Sequence, residues 1–275
     1  MLKLGDSGDA VKVLQGGLNK VGALLLLDGD FGPLTCDAVL ETRVVLGQPA
    51  SADADDAFQQ IVARHPDPFP ALTAAGVTFI ARAEVSGPRE YRRRFKSPVW
   101  PSEGSGITVG IGYDLQFVDR QRLFDDWGDV VPDSVFELLA SVVGQTGSAD
   151  SLAALRDIEI PLPIAMSVFL TRTLPLYVEQ TRAVYPQFDL LSAARRTALV
   201  SLVYNRGSRL TDRDPVLQER REMRAIRTLL RDNELAAVSG ELDSMARLWT
   251  LPGLIQRRHD EARLWRSGFE PLQLG

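Results

Sequence analysis

Glu84 is the residue around which chemistry can be organised. It closes an apolar stretch containing Val77, Phe79 and Ile80, and Val85-Ser86-Gly87-Pro88 breaks the chain directly after it. A carboxyl at the end of an apolar helix, beside a cleft, is one whose acidity burial can weaken, as a general acid requires. A second candidate group begins with Thr108, 24 residues further on, within Ser105-Gly106-Ile107-Thr108-Val109-Gly110-Ile111-Gly112-Tyr113-Asp114. Thr108 and Asp114 stand six residues apart there. A threonine hydroxyl can position water and a carboxylate can activate it. Two acidic functions flanking one bond are what hydrolysis of a glycosidic bond needs. Gly110 and Gly112 lack side chains, so a sugar chain can approach the backbone there, with Tyr113 beside it. Each residue also has a plainer reading. Glu84 pairs with Arg89 or Arg92 at a helix end, Thr108 is a strand residue, and Asp114 caps the next helix.

The composition narrows the alternatives. Cys36 is the single cysteine, so no intrachain disulfide is possible, and His65 and His259 are the two histidines. A site of three or four His and Cys ligands is thereby nearly excluded, and neither histidine sits in a nucleophile motif. No metal and no cofactor are expected. The formal charge of -5 argues against a nucleic-acid partner. No apolar run approaches the ~20 residues that span a bilayer, and Met1-Leu2-Lys3-Leu4-Gly5-Asp6 lacks the apolar core of a signal peptide. The chain is therefore expected to be made in the cytoplasm.

The elements that must position these residues are mostly helices. Val11, Leu14, Leu18 and Val21 recur at helical spacing, with Gly22 as a C-cap. Asp28-Gly29-Asp30-Phe31-Gly32-Pro33 is turn-rich, and Pro33 suits the first position of a second helix that carries Ala38 and Val39 inward. A connection over residues 48–56 leads to a short helix from Ala57 to Ala63. His65-Pro66-Asp67-Pro68-Phe69-Pro70 cannot continue a helix, so the domain boundary is placed there, giving 1–66 and 71–275. A helical pattern from Thr73 to Ala83 leads into Glu84. Gly106 to Tyr113 alternates like a strand, with glycines that mark close backbone approach. Ala194, Ala198, Leu199, Leu202 and Val203 form an apolar stripe, Leu251-Pro252-Gly253 is a break, and Leu254 to Trp265 is the last helix. The expected class is mainly α (α+β): an N-terminal three-helix bundle, then a mostly helical domain with a small β-hairpin insertion.

Two resemblances emerge from these motifs. Leu4-Gly5-Asp6-Ser7-Gly8, Val11-Lys12-Val13-Leu14-Gln15, Leu18-Asn19, Asp28-Gly29-Asp30-Phe31-Gly32-Pro33-Leu34-Thr35 and Ala38-Val39 resemble the three-helix peptidoglycan-binding domain of bacterial and phage wall enzymes. The chain departs from it at Thr42-Arg43, where that family usually has Phe-Gln. Glu84 followed by Gly106-Ile107-Thr108-Val109-Gly110-Ile111-Gly112-Tyr113 resembles the phage-type lysozyme pattern, and Asp114 after the hairpin resembles the pesticin-like branch of that fold. Ala198 to Gly207 and Gly253 to Glu261 are similar to the central and final helices of the family. The commoner phage enzymes place an acid before the hairpin threonine, a position for which Glu103 is the nearest candidate.

The resemblance implies a muramidase that cuts the β-1,4 bond between N-acetylmuramic acid and N-acetylglucosamine. Glu84, Thr108 and Asp114 would be catalytic, with Glu103 in reserve as the second carboxylate. Gly110, Gly112, Tyr113 and Asn205 would contact substrate, although a helix C-terminal turn explains Asn205-Arg206-Gly207 nearly as well. Arg257 or Arg258 would fall near Glu84. Arg89, Arg92, Arg93, Arg94 and Lys96 read as an ion-paired surface, or as contacts for carboxylates of the wall's peptide stems. The bundle would hold the enzyme on peptidoglycan, raising the local substrate concentration. Alternatives are a catalytically inactive wall-binding protein, since fold does not set function, and a lytic transglycosylase using Glu84 alone. The expected protein is a monomer that reaches the wall through a holin or a secretion machine, the latter with an immunity protein as partner.

Overall fold

The computed structural model describes residues 1–101, 104–214 and 216–268. It is mainly helical, and a two-stranded antiparallel hairpin is the one sheet among the described residues. The chain divides into two compact units, Met1–Pro68 with Ala81–Leu174, and Phe69–Ile80 with Pro175–Gly275. One crossing between them falls inside the proline-rich stretch, at Pro68 to Phe69, and the chain returns to the first unit at Ala81. No described helix is long and apolar enough to cross a membrane.

The first unit begins with three helices: α1 (Asp9–Lys20), α2 (Pro33–Val45) and α3 (Asp56–Arg64). Val11, Leu14 and Leu18 of α1 meet Phe31, Ala38, Val39, Phe58 and Val62 in one buried core. Gly17 permits the approach of α1 to α3, because a Cβ there would lie 2.9 Å from the Val62 side chain. The turn-rich loop is wired to buried Gln15, whose Nε2 donates to Asp28 Oδ1 at 2.6 Å and whose Oε1 accepts from Gly29 N at 3.0 Å. Thr42 and Arg43 are both buried. The Arg43 guanidinium lies 4.3 Å from the Phe58 ring centroid and donates to Asp55 Oδ2 at 2.6 Å, while Asp55 caps α3 through Phe58 N. The departure from Phe-Gln at this site thus ties α2 to the start of α3.

The helix that carries Glu84, α4 (Ala74–Val85), enters the first unit at Ala81. Strands β1 (Thr108–Val109) and β2 (Tyr113–Asp114) follow. The stretch from Gly106 to Tyr113 is not one strand. Gly110 and Gly112 take φ of 59° and 70° and fold the chain back within three residues, conformations that glycine adopts without a Cβ clash. Next come α5 (Arg120–Trp127), α6 (Asp133–Ala140), α7 (Ala149–Ala154) and α8 (Leu162–Val168).

The second unit holds most of α9 (Leu174–Val184), then α10 (Ala193–Arg206), α11 (Arg221–Arg231), α12 (Val238–Ser244) and α13 (Pro252–Ser267). In α10 the apolar stripe Ala194, Ala198, Leu199, Leu202 and Val203 is buried. Pro252 begins α13 rather than interrupting it, because a proline N–H is not needed in a first turn.

Candidate active site

Thr108 and Asp114 are direct partners across the hairpin. Thr108 spends its own N–H and C=O on Val99, at 2.8 and 2.9 Å. Its pairing with Asp114 is therefore of the kind without direct backbone bonds, in which side chains approach most closely. The two side chains emerge on one face, both half-buried. Asp114 Oδ1 accepts from Gln116 N at 2.9 Å and so caps the short 3₁₀ turn Leu115–Phe117. The capping role foreseen for Asp114 is real, but it occupies one oxygen. Oδ2 accepts no hydrogen bond from the described residues. Gly106 lies under this carboxylate: a Cβ there would clash with Asp114 Oδ1 and come within 2.5 Å of Gln116 Cβ.

Glu84 stands in the last turn of α4, half-buried, in the same unit as the hairpin. The chain turns sharply after it, with φ of 61° at Ser86 and 130° at Gly87. Glu103 lies outside the described residues. Asn205, half-buried at the end of α10, belongs to the second unit.

The hairpin residues foreseen as substrate contacts are placed differently from one another. Gly112 is half-buried, whereas Gly110 and Tyr113 are buried. The space that Gly110 leaves is taken up by the protein, since a Cβ there would lie 3.0 Å from the Trp127 indole. Tyr113 packs edge-on against Trp127, with ring centroids 5.6 Å apart, and its hydroxyl donates to Asp126 Oδ2 at 2.8 Å. Burial, reinforced by the hydrogen bond to Asp126, pushes the Tyr113 hydroxyl well above its ordinary range. Asp126 is itself buried and also receives Arg122 Nε at 2.7 Å. Helix α5 thus supports the hairpin from below through Asp126 and Trp127. Sequence reading missed this prop, although the four-residue spacing of Arg122 and Asp126 is a visible helical ion-pair signal.

The second unit contains a buried charge cluster. Glu261 and Arg258 are fully buried and Arg257 nearly so. Glu261 Oε1 accepts from Ser201 Oγ at 2.6 Å and from Arg258 Nη2 at 2.8 Å, and Arg257 donates to the Ser201 carbonyl at 3.0 Å. These bonds join α10 to α13. Burial raises the Glu261 carboxyl above its ordinary range, against the opposing charges of Arg258 and Arg257. Among the described residues, no group of three or more His, Cys, Asp or Glu side chains is arranged to hold a metal ion.

No family model matches the chain, and comparison with curated proteins gives no match. Among solved structures, the crystal structure of the Burkholderia AP3 phage endolysin is 17% identical, with 95% of this chain and 99% of that chain covered, at a TM-score of 0.22. Overlap of that quality transfers neither a fold nor an activity.

Proposed function

We propose that this chain is a peptidoglycan hydrolase of the muramidase type, cutting the β-1,4 bond between N-acetylmuramic acid and N-acetylglucosamine. Glu84 acts as the general acid on the leaving oxygen. Asp114, through Oδ2, takes the proton of a water that the Thr108 hydroxyl orients. The observation that carries this reading is the pairing of Thr108 with Asp114 across the hairpin, with one carboxylate oxygen anchored and the other left for chemistry. Gly112 and Asn205 remain candidate substrate contacts. Gly110 and Tyr113 are assigned to positioning the hairpin, because Trp127 and Asp126 already occupy them. Residues 1–66 are proposed to bind the wall and 71–275 to cut it, after delivery through a holin or a secretion machine.

The test is clearing of purified murein, with mass spectrometry of the fragments. The wild type should release products with reducing ends. Glu84→Gln should clear murein about 10²–10⁴-fold more slowly, the usual contribution of a positioned acid, while its circular dichroism stays native. Equal clearing rates would sink the assignment of Glu84. Fragments ending in 1,6-anhydro sugars would instead identify a lytic transglycosylase, and an inert wild type would identify a wall-binding protein.

A further inference from the structure

We infer that the three-helix bundle is a fixed wall of the catalytic unit rather than an anchor on a tether, and that Arg82 is the positioning residue linking it to Glu84. This rests on the muramidase reading of Glu84. Arg82 stands two residues before Glu84 on α4, and its Nη1 donates to the carbonyl of Leu24, in the bundle, at 2.8 Å. Leu24 presents that carbonyl from a left-handed conformation, φ 57°, held by its fully buried side chain and by Asn19 bonded on both edges of Leu25. Asp28 of the bundle's turn-rich loop adds a favourable charge to Arg82, opposing the burial that weakens its hold on its proton.

The same end of the guanidinium also lies against the turn after Glu84. A Cβ at Gly87 would clash with Arg82 Nη1 and lie 3.0 Å from Cζ, so the arginine fills the place of that side chain. One planar group is thereby held between a bundle loop and the turn that ends the catalytic helix. Leu34 of α2 shares a cavity of about 140 Å³ with Arg82, Ser86, Gly87 and Pro88. A second lock lies nearby, where Arg92 donates to Asp37 at 2.9 Å and to Glu41 at 2.8 Å, both on α2. Met166 of α8 also meets the bundle, 3.4 Å from where a Cβ of Gly22 would be. A freely swinging tether makes none of these contacts. Misplacing a catalytic group by about 1 Å is enough to cost a large factor in rate, so loosening the arginine should be felt at Glu84.

The two roles separate on substrate size. A tether affects turnover of intact sacculi alone, whereas a clamp also affects a soluble murein oligosaccharide that needs no anchoring. The full-length chain is compared with Arg82→Met and Arg82→Lys on both substrates. On the soluble oligosaccharide, Arg82→Met should lower kcat about tenfold or more with KM little changed, and Arg82→Lys should recover part of the loss. Equal kcat for wild type and Arg82→Met overturns the clamp and leaves the muramidase reading intact. A wild type inert on both substrates overturns that reading itself. Should Arg82→Met fail to fold, the double variant Asp37→Asn with Glu41→Gln opens the second lock from outside the catalytic helix. It too should lower kcat on the soluble oligosaccharide, and an unchanged kcat overturns the inference.

Discussion

Asp114 shows how much of a site can depend on an atom that is missing. Its carboxylate lies where any side chain at residue 106 would have to be. Gly106→Ala should therefore cost about 1–3 kcal/mol through overpacking and push Asp114 out of register with Thr108. Thermal melting should show the stability loss, and murein clearing should fall by more than that loss explains. An alanine variant with wild-type melting and clearing would refute the close fit. The candidate residues Glu84, Thr108 and Asp114 could be picked out in the sequence because their types and spacing are local, and the hairpin pairs two of them, Thr108 and Asp114. The need for glycine at 106 was not legible, since it arises from a carboxylate eight residues away folding back over it. Arg43 is a similar case. It reads as a departure from a family pattern, but its partners Phe58 and Asp55 come from another helix.

At the scale of elements, the hairpin is too short to be independently stable. Its strands contribute two residues each, and it depends on α5 beneath it. Asp126→Ala would leave the buried Tyr113 hydroxyl without its acceptor, a loss of about 2–3 kcal/mol for a hydrogen bond to a charged group. Amide hydrogen exchange at residues 108–114 should speed up in that variant while exchange in α1 to α3 stays as in the wild type. Uniform acceleration across the chain would argue that Asp126 serves global stability and not the hairpin. The helices themselves were largely readable: the expected stretch from Thr73 to Ala83 is α4, and that from Leu254 to Trp265 lies within α13. The small hairpin was expected and is present, but the place where it turns was not legible. Alternating residues signal a strand equally well whether the chain runs straight or reverses, and the reversal here depends on the left-handed angles of two glycines.

Across the whole molecule, acid stability follows from carboxylates that folding has made stronger acids. Glu222 of α11 has no exposed side-chain surface, and it accepts from Arg247 Nε at 2.7 Å and from Arg221 Nη2 at 2.9 Å. Burial works to raise its pKa, but the Arg247 hydrogen bond and the charges of Arg247 and Arg221 win and hold it below 4.5. A group lowered in this way stabilises the fold above its unfolded value, and that stability is lost as pH falls through the folded one. Asp189, Asp212 and Asp243 are shifted in the same direction. Glu261 has the opposite sign, so its contribution weakens as pH rises above 4.5 through its folded value. Denaturant midpoints should therefore fall on acidification below about pH 4.5. Glu222→Gln should cost about 2 kcal/mol at pH 7 and much less near pH 3. A deficit independent of pH would show that its ionic bonds carry none of the stability.

The contact between Arg82 and Leu24 bears on how such a chain can be inherited. A proline-rich stretch between two modules invites recombination, since a crossover there disrupts no helix. In this protein a crossover within residues 65–70 would separate Leu24, Asp28, Asp37 and Glu41 from Arg82 and Arg92, which they hold. The incoming bundle would have to bring a matching carbonyl and matching acids. The two halves are thus expected to travel and vary together, with changes at Arg82 and Arg92 tracking changes in the first 41 residues.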